Sequence, residues 1–134
     1  MRRRLEGRMA IHSAKRAYAP EGSYGEKDKA KGRSMDIRPS KDAEATQLHP
    51  IIRRHPETGR EGLFSCFGYI IGIEGMSEAD STPLLLDLYQ WQSREEFQYR
   101  HKWQPGMLLM WDNRSVLHAA TGGYDGHDRI LHRI

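Results

Sequence analysis

The sequence predicts a mainly β protein with helices, an α+β domain. Three observations carry that prediction. From Leu48 onward, short β-prone runs alternate with clusters of turn residues. One capped segment with a helical apolar face interrupts them. The 134 residues hold one domain of ordinary size.

The elements are expected in this order. Leu5, Met9 and Ile11 among Arg3, Arg4, Arg8, Lys15 and Arg16 predict a short basic amphipathic helix within 1–17. Residues 18–47, rich in Gly, Lys and Glu, bury too little apolar area to offset the entropy of ordering them, and a mobile basic loop is expected. Strands are expected over 50–54, 62–66 and 69–74, with a turn at 55–59. Ser77 and Asp80 form an S-x-x-D cap, followed by Leu84, Leu85, Leu88 and Trp91 at helical spacing. Pro83 fits poorly in a helix interior, so the helix is expected to start near Ser81. Phe97, Tyr99, His101 and Trp103 alternate with polar residues and predict a half-buried strand. Past the Gln104-Pro105-Gly106 turn, 107–111 is apolar at every position and reads as a central strand. Tyr89, Trp91, Trp103 and Trp111 are expected in the core, as is Cys66.

Composition narrows the function classes. Residues 1–41 carry 12 basic and 5 acidic side chains, +7, while 42–134 carry 9 and 13, −4. No Phe, Trp or Tyr interleaves the charges of the expected basic helix within 1–17, and the acidic remainder opposes a nucleic-acid footprint. A single cysteine, Cys66, forms no internal disulfide, which fits a reducing compartment and a cytoplasmic setting. No apolar run approaches the roughly 20 residues of a membrane helix.

The chemistry concentrates in the last third. An apolar run ends in Trp111-Asp112-Asn113-Arg114, His118 follows, and Arg129 and Arg133 come 11 and 15 residues after it. In a strand over 129–134, alternation puts both arginines on one face. Facing solvent, they are surface charges. Facing inward, the two guanidiniums require anions, and their planar forks suit a carboxylate or sulfonate. His118 alone reads more readily as a satisfied core histidine than as a ligand, and the spacing to Arg129 and Arg133 turns that preference toward the ligand. His55-Pro56-Glu57 has the H-x-[DE] spacing of a metal-ligand pair, but it falls in a turn where Pro56 fixes the backbone, and it is rejected as one. Asp112 reads as a turn or hydrogen-bonding residue, and His101 and His132 as packing or surface groups.

Trp103-Gln104-Pro105-Gly106, Trp111-Asp112-Asn113-Arg114, His118 and the Arg129-to-Arg133 segment resemble the Fe(II)/2-oxoglutarate-dependent dioxygenases of the taurine dioxygenase (TauD/TfdA) family. His49-Pro50, His55-Pro56 with Gly59, Ser77-Glu78 and the 94–103 segment add to the likeness, which covers essentially the whole chain. The resemblance implies a jelly roll (double-stranded β-helix), here as the C-terminal half of the dioxygenase fold over 48–134 with one helix. It implies Fe(II) held by two histidines and a carboxylate, with 2-oxoglutarate as cosubstrate and O2 as oxidant. By residue match, His118 is the distal iron ligand and Arg129 anchors 2-oxoglutarate. Arg133 and Tyr69 lie toward a small anionic substrate, and no catalytic residue is assigned beyond the iron site. The implied activity couples decarboxylation of 2-oxoglutarate to hydroxylation of a sulfonate or carboxylate. The family's H-x-[DE] ligand pair has no acceptable counterpart among these residues, so an incomplete domain is expected, with uncovered sheet edges and self-association. The alternatives are an inactive fragment or interaction module, and a basic binding module formed by 1–41.

Overall fold

The computed structural model describes residues 1–25 and 37–121, together with 126 and 130. Helix α1 (Arg2–Leu5) is followed by strand β1 (Met9–Ser13) and helix α2 (Lys15–Tyr18). A 3-10 turn at Lys41–Glu44 leads into β2 (Thr46–Pro50), β3 (Ile52–Arg54), β4 (Glu61–Leu63) and β5 (Ile70–Ile73). Helix α3 (Glu78–Gln92) and a second 3-10 turn at Glu95–Phe97 complete the regular elements. The architecture is mixed α and β with antiparallel sheets: β2-β1-β5 form one sheet and β3-β4 another.

The helix expected over the first 17 residues is broken in two by a strand. Gly7, at φ +68°, ends the first helix in a conformation that favours glycine. Ala10, Ile11 and His12 then pair with both β2 and β5, and Ala10 is fully buried at the centre of the sheet. Two flanking ladders outweigh the helical spacing of Leu5 and Met9, as tertiary context commonly does.

The loop expected over 18–47 is also ordered at its described ends. Backbone bonds from Gly22, Ser23 and Tyr24 close turns onto α2. Ser40 caps the 3-10 turn by accepting the Asp42 N–H, and 46–50 is strand. Residues 26–36 lie outside the described residues.

The single strand expected over 50–54 divides at Ile51, where the chain passes from one sheet to the other. Ile51 is fully buried, donates its N–H to Arg8 O and accepts from Phe64 N, so it bonds to both sides of the crossing. The turn at 55–59 forms as expected and delivers β4 antiparallel to β3, with Gly59 at φ +69°.

Ser77 caps α3 by accepting the Asp80 N–H. The helix starts at Glu78 rather than near Ser81, so Pro83 lies inside it. Pro83 stands in the second turn and faces solvent, as does Ala79, so the helical bond that its missing N–H would give the Ala79 carbonyl is lost at an exposed position. Leu84, Leu85 and Leu88 bury the helix against Leu5, Ala10, Ile51, Ile70 and Ile73.

Neither strand expected over 97–103 and 107–111 is present, and the strand considered over 129–134 lies, apart from Ile130, outside the described residues. Residues 98–121 have no helix or strand; Leu108 and Met110 are 80% and 83% exposed, not central. Among the described residues nothing pairs with this stretch, and the alternating pattern cannot form a ladder without a partner. Tyr89, Trp91, Trp103 and Trp111 are exposed rather than core, and Cys66 is half-buried in the turn before β5. The Gln104-Pro105-Gly106 turn does form: Met107 N bonds to Gln104 O, and Gly106 has φ +79°.

Candidate functional site

On β1 and β2 the register sets His12 opposite Gln47 and Ala10 opposite His49. His12 and His49 are therefore diagonal neighbours on one face, and their rings meet edge to face at 5.0 Å. Phe64 stacks on His12 at 5.5 Å and meets His49 at 5.2 Å. Burial, and secondarily the neighbouring His49, lowers the His12 pKa from 6.5. Its Nε2 is buried and has no hydrogen-bond partner among the described residues. An open cleft of about 290 Å³ lies beside this pair, lined also by Ser13, Thr46, Gln47 and Tyr69.

Tyr69 stands at the start of β5, held by Ser13 N–H to its carbonyl and by its own N–H to Cys66 O. Arg16 donates to Ile70 O at 2.9 Å and fixes the same corner. Burial and a hydrogen bond with Tyr18 push the Tyr69 phenol up to about 12, so it stays protonated at neutral pH and can donate a hydrogen bond.

His118 lies elsewhere, in an exposed segment after the 111–114 turn. Its ring contacts that of Trp111 at 4.8 Å. Asp112 organises this turn. It accepts from Arg114 N at 2.8 Å and from Arg114 Nε at 2.9 Å, and it binds His55 Nε2 at 2.9 Å. These donors hold the Asp112 carboxyl well below the usual carboxylate range, and the two carboxylates of Asp112 and Glu57 hold Arg114 charged. His118 is not among the residues lining the Tyr69 cleft. Arg129 and Arg133 lie outside the described residues.

Among the described residues, no three His, Cys, Asp or Glu side chains gather into a group able to hold a metal. The single imidazole of His118 does not supply the two histidines and a carboxylate of a facial iron site, so the described residues alone do not fit Fe(II). Two features escaped the sequence reading. The His12–His49 pair was hidden because a helix was expected where β1 runs. The His55–Asp112 contact spans 57 positions, and no local pattern announces it.

The sequence model of the family described as "Taurine catabolism dioxygenase TauD, TfdA family" matches residues 1–134. The chain belongs to this family. Among its TauD/TfdA relatives, the alpha-ketoglutarate-dependent 2,4-dichlorophenoxyacetate dioxygenase of Cupriavidus pinatubonensis is 42% identical over 69 residues, 52% of this chain and 24% of the relative. The alpha-ketoglutarate-dependent sulfate ester dioxygenase of Pseudomonas putida is 35% identical over 86 residues, covering 64% and 28%. The crystal structure of AAD-2 in complex with Mn(II) and N-oxalylglycine superposes with a TM-score of 0.58 at 25% identity, over 85% of this chain and 36% of that one.

The matched stretches thus cover about a quarter of the length of these curated relatives. Family membership supports Fe(II) and 2-oxoglutarate as the cofactor and cosubstrate of the family to which this chain belongs. Among the described residues, no helix is long and apolar enough to cross a membrane.

Proposed function

We propose that this chain forms the part of an Fe(II)/2-oxoglutarate-dependent dioxygenase that contributes one iron ligand, His118, and the cosubstrate anchor, Arg129. It corresponds to the C-terminal half of the family's jelly roll and forms a single incomplete domain over 1–134. Arg133 and Tyr69 face a small anionic substrate, a carboxylate, sulfonate or sulfate ester. The observation that carries the reading is the family match across all 134 residues. The family couples oxidative decarboxylation of 2-oxoglutarate to hydroxylation of a substrate C–H bond. In this chain Arg129 supplies a planar fork for the distal carboxylate of the cosubstrate, and a bidentate pair fixes orientation as well as affinity.

A second reading, an inactive or interaction module, is favoured by one observation: no metal-holding group of three forms among the described residues. The test is succinate formation from 2-oxoglutarate with Fe(II), ascorbate and oxygen. The isolated chain forms no succinate above a His118→Ala control, whereas a protein joining it to a segment that bears the H-x-[DE] pair does. Failure of the joined protein, folded and iron-loaded, to form succinate would favour the module.

A further inference from the structure

One polar network lies outside the cleft and includes none of the residues given a site role by the family match; it joins the turn at 55–59 to the turn at 111–114. The His55 side chain is only 13% exposed. Its Nδ1 accepts the backbone N–H of Glu57 at 3.3 Å and of Thr58 at 3.2 Å, while Nε2 lies 2.9 Å from Asp112 Oδ2. A ring nitrogen that accepts N–H bonds carries no proton, so in the neutral ring the proton sits on Nε2 and is donated to the carboxylate. Both nitrogens are committed. The H-x-E spacing of 55–57 therefore serves a cross-link between two turns and leaves no lone pair for a metal.

Asp112 transmits that restraint. It also accepts from Arg114 Nη2 at 2.6 Å, and the same guanidinium reaches Glu57 Oε1 at 2.9 Å, so that with the Glu57 backbone N–H on His55 Nδ1 a ring of four residues closes across the two turns. Trp111, next to Asp112, donates its indole N–H to Asn113 Oδ1 at 2.9 Å and lays its ring 4.8 Å from that of His118, inclined at 52°.

We propose that His55 is a positioning residue for His118: its ring fixes Asp112, and with it the turn that holds Trp111 against the His118 imidazole. A side chain whose orientation is set in advance by its supporting contacts loses less entropy when it engages a ligand. The inference rests on the iron reading of His118 for its purpose, but its test involves no metal. Absence of succinate in the assay above would leave it standing, and its failure would leave the family reading standing.

The test is nuclear magnetic resonance on the 15N-labelled chain and on His55→Ala, His55→Phe and His55→Gln. In the unsubstituted chain, long-range 1H–15N spectra should show His55 protonated on Nε2, and a nuclear Overhauser contact should link the Trp111 and His118 rings. His55→Ala and His55→Phe should lose that contact and shift the Trp111 indole N–H, while the signals of Ala10, Ile73 and Leu88 stay in place. His55→Gln keeps one acceptor and one donor in the side chain and should restore the contact. A proton on Nδ1, or a Trp111–His118 contact that survives in His55→Ala, overturns the proposal. Global unfolding of both His55→Ala and His55→Phe would assign His55 to general stability and overturn it too.

Discussion

Replacing Leu88 with alanine tests how the helix is seated behind the Tyr69 strand. Leu88 is fully buried on α3 and packs in a cluster with Leu84, Leu85, Ile70 and Ile73. The substitution removes three carbons, worth about 0.8 kcal/mol each in transfer, and leaves a cavity that the surrounding sheet and helix fill only in part. The expected cost is about 3–4 kcal/mol. Leu86, two residues earlier, is 41% exposed, and Leu86→Ala should cost at most about 1 kcal/mol. Thermal melts followed by circular dichroism at 222 nm separate the two. At this chain length each kcal/mol moves the midpoint by about 4 °C, so Leu88→Ala should melt roughly 12–16 °C lower and Leu86→Ala within about 4 °C of the parent. Against a total stability of about 5–15 kcal/mol, the first change is a large fraction. Equal shifts for the two variants would refute the docking of α3 through its Leu84–Leu85–Leu88 face.

Two further outcomes are expected. His12 is held neutral in the folded state because its pKa there lies below the unfolded value of 6.5, so the unfolded chain binds more protons in that window. Stability should be full above pH about 6.5 and fall as pH drops through the lowered folded value. Urea titrations at several pH values should show that loss, and His12→Phe should lessen it; a pH profile identical in the variant would contradict the burial argument. Tyr99, Leu108 and Met110, each at least 80% exposed, should drive concentration-dependent association in sedimentation velocity, relieved by Leu108→Lys with Met110→Lys. A monomer at all concentrations would count against that.

Local chemistry made some of this molecule legible. The Ser77 cap, the Leu84–Leu85–Leu88 face, the Pro105-Gly106 turn and the 55–59 turn each rest on residues within a few positions of one another, and each forms. What failed depended on distant partners. Leu5 and Met9 suit a helix until β2 and β5 close on either side of Ala10, and Ile51 reads as mid-strand until two sheets compete for its backbone. The alternation over 97–103 and the apolar run over 107–111 are real sequence signals. Neither is a strand here, because pairing needs a neighbour that the described residues do not supply. The candidate site divides along the same line. Tyr69 and His118 are named by resemblance of motifs; Tyr69 lines the cleft, whereas His118 lies apart from it beside Trp111. The His55–Asp112 link needed coordinates, since no periodicity relates positions 57 apart.

The central claim is that His118, Arg129 and Arg133 serve one 2-oxoglutarate-dependent site in distinct roles. The most direct measurement is steady-state kinetics of the protein completed with an H-x-[DE]-bearing segment, varying 2-oxoglutarate and the anionic substrate separately in Arg129→Ala and Arg133→Ala. Losing a charge-assisted contact is worth about 1.5–3 kcal/mol, or roughly 10- to 150-fold in affinity. Arg129→Ala should raise the 2-oxoglutarate requirement by that factor for every substrate, and Arg133→Ala should raise only that of the anionic substrate. An unchanged 2-oxoglutarate requirement in Arg129→Ala, or both variants acting on the anionic substrate alone, would contradict the assignment and favour the reading of both arginines as surface charges.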